Sequence, residues 1–463
     1  MGENWSERRP GLASMVLADR LPIRVRVVAH RLTYTGGHAV YVVGGAVRDW
    51  LLGQEPHDID LATTALPEEV LSLFPEGKDD GAEFGRVLVS GVDVLTLRQD
   101  GEYKDARHPS RVKFTDDIHL DLRRRDFTIN AMAVEYPSGA LIDPNGGEND
   151  LKLCILRAVG DASARFREDA LRIMRGLRFI ATMGMFPADG LSDSARANAE
   201  SLRFISPERL QDELSRILAG RWAMDGLAEM ASWGALDAVI PEFTPTIGCA
   251  QNCPHHHADV WGHTLEVVQG IAPELHLRLA ALLHDVGKPR TKRTRDDGRD
   301  TFYNHDQVGA DMARTIMERL RYPAALTERV ALLVANHMFH FDQHTKPSAV
   351  RRMIARVGAS NVDDLLELRR ADHAGARNAG TEQGRSYQML RDIADEVQSE
   401  NQAITLRDLA INGHDVMSAL NIAPGQAIRV VLSACLEHVL EHPEENTRDA
   451  LLYFMRTQKK VGG

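Results

Sequence analysis

Aromatic residues are scarce in this 463-residue chain: Phe, Tyr and Trp together make up 6% of it. Most of the sequence reads as helical, so that scarcity argues against an all-β architecture, whose strands draw on aromatic and β-branched side chains. Cysteine is scarcer still. Cys154, Cys249, Cys253 and Cys435 are too few to staple a chain of this length with disulfides. Cys249 and Cys253 could be half of a zinc site, but no second pair completes it, and they read as free thiols. No uninterrupted apolar run reaches the roughly 18–20 residues that span a bilayer. The opening MGENWSERRPG lacks the apolar core of a secretory signal. Gly2 and Ser6 fit a short acylation pattern of a kind that arises often by chance. Positive charge is also short, with 55 Lys and Arg against 66 Asp and Glu for a net −11. Phosphates are neutralised by Lys and Arg, so nucleic-acid contact would have to use local basic patches on an acidic body. The expectation is a soluble cytoplasmic protein with no membrane partner.

What is present reads as about three domains. Residues 1–27 are charged and weakly patterned, an extension. Across 28–150, short β-branched runs such as Val40-Tyr41-Val42-Val43 and Val92-Asp93-Val94-Leu95 alternate with turn signals, which predicts a small α/β unit. The texture then turns helical. In 151–256, apolar Ile173, Leu177 and Ile180 recur at helical spacing, and Ser206-Pro207 offers an N-cap followed by a first-turn proline. Pro241, Pro245 and Pro254 mark a boundary, followed by a histidine-rich helical stretch, 257–375, and a helical tail, 376–463. The fold class is α+β.

Two features of the first unit carry chemistry. Gly44-Gly45-Ala46-Val47-Arg48-Asp49 follows a strand and opens an amphipathic segment, the setting in which glycine exposes backbone N–H groups to phosphate. Asp58-Ile59-Asp60 sits in a strand context, where residues two apart share a face. Two carboxylates held that close repel unless a cation neutralises them. The arrangement suits a hard divalent metal of the Mg²⁺ type, and Asp93 on a later strand supplies a third carboxylate.

The run GGAVRDWLLGQEPHDIDLAT (44–63) resembles the signature of class II CCA-adding tRNA nucleotidyltransferases and bacterial poly(A) polymerases. RQDGEYKDARHPSRVKF (98–114) looks like that family's flexible loop and RRDFTINAMA (124–133) like its ribose-selecting motif. DPNGGENDL (143–151) is similar to the turn that closes its head, and REDALRIMRGLRF (167–179) contains its Glu-Asp-x-x-Arg motif. The resemblance covers about residues 20–460, more weakly in the tail. It implies a nucleotidyltransferase head over 28–150, with a mixed sheet and helices, and an all-α neck over 151–256.

The implied reaction is template-independent addition of CCA to the 3′ end of tRNA from CTP and ATP. Two metals can serve such a displacement at the α-phosphate. By resemblance, Asp58 and Asp60 hold Mg²⁺, and Asp93 orients or deprotonates the attacking hydroxyl, at a position where the family often has Glu. Gly44, Gly45, Arg48 and Asp49 line the triphosphate side; Arg125, Asp126 and Asn130 read the ribose. Asp169 and Arg172, three apart and therefore neighbours on one helix face, present a carboxylate and a guanidinium to the base edge. Arg175 and Arg178 extend the basic surface toward triphosphate or tRNA, or are simply solvated helix positions. Relatives that add only CC lack the flexible loop. Its presence here, with a net excess of three positive charges over 104–114, favours full CCA addition, then addition of A alone, then poly(A) synthesis.

In the second half, His263, His284-Asp285 and Asp372 form a series that resembles the HD phosphohydrolase superfamily. By that resemblance these four hold one divalent metal, whose identity the sequence leaves open, and His305 and His337 complete a second site. A metal-bound hydroxide could then hydrolyse phosphoesters; alternatively, the domain serves as a helical body under the tRNA. Lys288–Arg299 carries a local excess of four positive charges and reads as a tRNA contact or an exposed loop. Alarmone synthetase/hydrolases also join a nucleotidyl-type domain to an HD domain, but in the opposite order and without Glu-Asp-x-x-Arg. A silent RNA-binding scaffold would be expected to have lost the metal carboxylates.

Overall fold

The computed structural model describes residues 21–79, 81–101, 112–252, 258–339, 345–374, 391–392, 394–396 and 405–458. The chain forms two compact units, Met1–Thr244 and Pro245–Gly463. The implied flexible-loop residues 102–111, Cys253 and part of the predicted tail lie outside the described residues.

The first unit begins with helix α1 (Ile23–His30), then β1 (Val40–Val43), α2 (Gly45–Leu51), β2 (Asp60–Thr63) and α3 (Pro67–Leu73). There follow β3 (Lys78–Asp79), β4 (Arg86–Val89), β5 (Val92–Thr96) and a small antiparallel pair, β6 (Arg98–Asp100) and β7 (Val112–Phe114). After α4 (Ile118–Arg123), β8 (Ala133–Tyr136) and β9 (Leu141–Ile142) complete a seven-stranded mixed sheet of order β3-β4-β5-β2-β1-β8-β9. β1 is central and buried along its whole length. Its alternate side chains feed two cores: Val40 and Val42 join Val28, Trp50 and Phe74, while Tyr41 and Val43 join Leu97, Ile118 and Leu122. Within this sheet only β2 and β5 pair in parallel, with Leu61 opposite Val94.

β2 starts at Asp60, with Asp58 and Ile59 in the connection before it. The expectation that Asp58 and Asp60 share a strand face is therefore corrected. Asp58 lies in a connection, because residues 54–59 form neither helix nor strand before pairing begins at Asp60.

The neck follows as α5 (Gly147–Lys152), β10 (Ile155–Leu156), α6 (Ala162–Glu168) and α7 (Leu171–Met183). Next come β11 (Phe186–Pro187), α8 (Leu191–Asn198), α9 (Pro207–Leu218), α10 (Ala223–Ser232) and α11 (Ala235–Val239). α9 starts at Pro207 as expected, but Ser206 makes no side-chain capping hydrogen bond. α7 packs on α9 and α10, and Gly226 permits the close approach, since a Cβ there would lie 2.6 Å from that of Ala181.

In the second unit, α12 (Val260–Gly270), α13 (Leu275–Leu283) and α15 (Ala324–Asn336) pack with α17 (Val362–Ala374), which follows α16 (Pro347–Val357), and α14 (His305–Arg319) packs on α13 and α15. α18 (Gly413–Leu420), α19 (Gln426–Glu441) and α20 (Arg448–Gln458) close around Val416, Cys435, Val439 and Leu451. No described helix is long and apolar enough to cross a membrane.

Gly147 opens α5 under Asp143, whose carboxylate accepts from the N–H groups of Gly147 and Glu148 at 2.8 and 2.9 Å. A Cβ on Gly147 would lie 2.1 Å from the Thr128 carbonyl oxygen, whereas one on Gly270 would meet nothing within 4 Å. Gly147→Ala is expected to cost about 1–3 kcal/mol from overpacking and Gly270→Ala close to nothing. Urea unfolding of both variants checks this, and equal stabilities would contradict it.

Candidate active site and metal centre

Gly44 adopts φ +73°, a conformation that favours glycine, and turns β1 into α2. Val43 pairs with Asp60, so this turn lies beside the start of β2. Arg48 donates to Asn130 Oδ1 at 2.8 Å and to Asp49 Oδ1 at 2.8 and 2.9 Å, and its guanidinium lies over the Phe179 ring. Arg125 completes the wall, its Nη1 3.2 Å from the place a Cβ on Gly44 would occupy. Arg48, Asp49, Arg125 and Asn130 are thus gathered around Gly44 and Gly45.

Asp60 and Asp93 lie on the adjacent parallel strands β2 and β5. Burial pushes the Asp60 carboxyl above its ordinary value, and the charges of Asp93 and Asp58 push the same way, against Arg125 and Arg86. Mutual repulsion among three carboxylates is what a divalent cation would relieve. Their all-oxygen donor set fits Mg²⁺.

Asp126 is buried, and both its oxygens are engaged. Oδ1 accepts from the Phe127 N–H at 2.8 Å, and Oδ2 lies 2.7 Å from Arg175 Nε and 2.6 Å from its Nη2. Although burial opposes its charge, Arg175 and these hydrogen bonds bring the Asp126 pKa down to about 2. Arg178 pairs with buried Glu213 at 2.9 Å. Burial raises the Glu213 carboxyl and lowers the Arg178 guanidinium. Arg175 and Arg178 therefore already have buried acidic partners.

The Glu-Asp-x-x-Arg segment corrects the helix-face expectation. α6 ends at Glu168, Asp169 is extended (φ −144°, ψ 106°), and α7 begins at Leu171. Arg172 pairs with Glu168 at 2.6 Å, not with Asp169, and donates to the Arg124 carbonyl at 3.1 Å. Asp169 accepts from the Leu171 N–H and from Arg209, both at 3.0 Å. The break separates the two side chains so that each is fixed by other partners. Arg86, Arg124, Glu168, Arg209 and Asp121, which pairs with Arg124 at 2.8 Å and Arg125 at 3.2 Å, support this site and were absent from the expected set. Only Glu168–Arg172 carried a plain signal, an i,i+4 acid–base pair.

In the second unit, His263 lies on α12, His284 and Asp285 at the end of α13, His305 at the start of α14, His337 just after α15 and Asp372 on α17. All six are buried. Asp285 Oδ2 lies 3.1 Å from His284 Nε2 and 3.8 Å from His263 Nε2. Its Oδ1 lies 3.4 and 3.9 Å from Nε2 of His305 and His337. Asp372 Oδ1 is 2.9 Å from His263 Nε2. Nδ1 of His284, His305 and His337 sits 2.6–2.7 Å from the carbonyls of Ala281, Phe302 and Val334. Donation there assigns the tautomer that turns Nε2 inward as a lone pair. Nε2 of His305 and His337 then face each other at 3.3 Å, and buried His284 Nε2 makes no hydrogen bond. Inward lone pairs around shared carboxylates fit divalent metal in two groups, His263-His284-Asp285 and Asp285-His305-His337. Lys288, which sequence reasoning assigned only to a basic segment, lies 2.6 Å from Asp285 Oδ2, and Arg369 2.7 Å from Asp372 Oδ2. Despite burial, His284 and Lys288 hold Asp285 well below the usual carboxylate range; a hydrogen bond from His263 does the same for Asp372. Burial takes the His337 pKa down to about 3.

The Asp126–Arg175 pair yields a pH prediction. With the folded pKa at about 2 and the unfolded value near 3.9, the pair's full contribution is present above about pH 4. It is lost as pH falls toward 2, by about 2 kcal/mol. Unfolding free energies between pH 6 and pH 3 should fall more steeply for the wild type than for Asp126→Asn. Parallel slopes would contradict this.

Residues 40–157 match the family described as "Poly A polymerase head domain", 190–247 "Probable RNA and SrmB- binding site of polymerase A", and 260–402 "HD domain". The chain is 45% identical over 209 residues to a CCA-adding enzyme of Geobacillus thermodenitrificans, a match covering 44% of this chain and 51% of that protein. It thus spans about half the length of that relative. An A-adding tRNA nucleotidyltransferase of Deinococcus radiodurans is 34% identical over 412 residues, 86% of this chain and 90% of that one. The crystal structure of Bacillus stearothermophilus CCA-adding enzyme in complex with CTP superposes with TM-score 0.70 at 26% identity, covering 95% of this chain and 97% of that one. The mixed-sheet head, the helical neck with its interrupted Glu-Asp-x-x-Arg segment and these matches together show that the chain belongs to the family of CCA-adding tRNA nucleotidyltransferases and bacterial poly(A) polymerases, with an HD domain in its second unit.

Proposed function

We propose that the chain adds CCA to the 3′ end of tRNA without a nucleic-acid template, using CTP and ATP and releasing pyrophosphate. The observation that carries this reading is the joint placement of a carboxylate cluster, a Gly44–Gly45 turn and the Asp169/Arg172 segment within one unit. Asp58 and Asp60 would hold divalent metal, Mg²⁺ by its oxygen ligands, which when bound activates the attacking 3′-hydroxyl and neutralises the leaving pyrophosphate. Asp93 orients the hydroxyl. Backbone N–H groups at the Gly44–Gly45 turn, with Arg48 held by Asp49 and Asn130, face the triphosphate. Arg125 and Asn130 contact the ribose, and Asp126, saturated by Arg175, positions them from behind.

Asp169 and Arg172 would read the base edge. Cytosine and adenine share an exocyclic amine at that edge, whose N–H donates to a carboxylate and which uracil and guanine do not present in the same way. tRNA would be recognised by shape and end geometry rather than sequence. The A-adding relative, matched over most of both chains, favours addition of the terminal A alone as the second reading.

In the second unit, His263, His284, Asp285 and Asp372 would hold one divalent metal and Asp285, His305 and His337 a second. These supply a hydroxide competent for phosphoester hydrolysis when bound. Lys288 and Arg369 lie against the two carboxylates as counter-charges.

Transcripts ending before CCA, after C and after CC, each offered CTP, ATP or both, test the head. Stepwise completion to CCA from every start is expected, with loss of at least a thousandfold in Asp58→Ala/Asp60→Ala, roughly the scale on which electrostatic catalytic groups act. Extension of only the CC-ended transcript by one A would establish the second reading, and no extension would overturn both. Arg172→Ala is expected to admit UTP or GTP; unchanged nucleotide choice would contradict the base-reading role.

A further inference from the structure

Arg86 was no part of the expected site, yet it engages one of the three head carboxylates. β4 and β5 pair with Arg86 opposite Leu95 and Leu88 opposite Asp93, which makes Arg86 and Asp93 diagonal neighbours on one face of the sheet. Arg86 Nε donates to Asp93 Oδ1 at 2.8 Å and Nη2 to Oδ2 at 3.2 Å. This fork occupies both carboxylate oxygens. The same guanidinium lies close enough to Asp60 to favour its charged form.

The fold has little need of this contact. Side-chain exposure is 42% for Arg86 and 30% for Asp93, and a half-exposed pair contributes at most about 1 kcal/mol to stability. Its position beside Asp60 gives it a different consequence. A divalent ion ligated by Asp93 would share that carboxylate with a guanidinium, and two cations on one carboxylate repel.

Building on the reading of Asp58 and Asp60 as the metal-holding pair with Asp93 beside them, we propose that Arg86 is the resident counter-cation of this three-carboxylate set, engaging Asp93 and so competing with divalent metal for its charge. Arg86 thereby lowers the metal affinity of the nucleotide-free head. The triphosphate, which brings its own negative charge and metal-binding oxygens, shifts the balance toward metal. Arg86 is a positioning residue: it acts on the metal through Asp93.

The test is Mn²⁺ binding to the full chain without nucleotide, followed by electron paramagnetic resonance of the free ion. Sites in the second unit are common to wild type and variants and cancel in the comparison. Arg86→Gln is expected to bind Mn²⁺ at the head roughly tenfold more tightly, with a thermal midpoint near that of wild type. Arg86→Lys, which keeps the charge and loses the fork, should gain less. In an Asp93→Asn background, Arg86→Gln should give only a small part of that gain, through Asp60. Unchanged or weaker Mn²⁺ binding by a folded Arg86→Gln protein, with Asp58→Ala/Asp60→Ala still removing the head site, would overturn the counter-cation role and leave the metal-site reading intact. If Asp58→Ala/Asp60→Ala left Mn²⁺ binding untouched, the metal-site reading would fail and the proposal with it.

Discussion

The ion pair between Asp126 and Arg175 is the interaction on which the geometry of the first unit depends. It joins the segment just before β8 to the middle of α7, and it is reinforced on both sides by backbone contacts. The Thr128 N–H donates to the Arg157 carbonyl at 2.9 Å, the Val159 N–H to the Asp126 carbonyl at 3.0 Å, and Arg172 to the Arg124 carbonyl. Residues 124–130 are therefore clamped between sheet and neck. Asn130 positions Arg48, Arg48 lies over Phe179 of α7, and the circuit closes. Asp169 and Arg172 consequently have a fixed relation to the Gly44 turn, which a base-reading pair requires if it is to discriminate before chemistry.

The two units meet the same electrostatic problem differently. In the head, the charges of Asp93 and Asp58 act on Asp60 with partial access to solvent, and Arg125 and Arg86 moderate the repulsion. In the second unit the cluster is buried, and imidazoles replace most of the carboxylates. Neutral Nε2 atoms can be packed at 3.3 Å where charged groups could not, because desolvating a second unpaired charge would cost several kcal/mol. Lys288 beside Asp285 and Arg369 beside Asp372 balance the two charges that remain.

Much of this was legible in the sequence. The alternation of β-branched runs gave the strands of the sheet, the glycine turn opens a helix directly after β1, and the histidine series gathers around Asp285. What failed did so for local reasons. Asp58 was assigned to a strand because i,i+2 spacing looks the same whether pairing begins at Asp58 or at Asp60. Asp169 and Arg172 were placed on one helix face because nothing in their spacing signals the extended residue between α6 and α7. Arg86 and Arg209 escaped notice since each acts across a tertiary contact, to Asp93 and to Asp169, and long side chains carry no periodicity that names a partner. Whether Arg175 and Arg178 were solvated or paired stayed open until Asp126 and Glu213 were seen beside them.

The central claim is that protein side chains, without a nucleic-acid template, choose the nucleotide. Isothermal titration of the Mg²⁺-loaded chain with CTP, ATP, UTP and GTP in the absence of tRNA measures this most directly. CTP and ATP should bind at least tenfold more tightly than UTP and GTP, a difference of about 1.4 kcal/mol, of the order of one well-made hydrogen bond. Equal affinity for all four nucleotides would contradict the account.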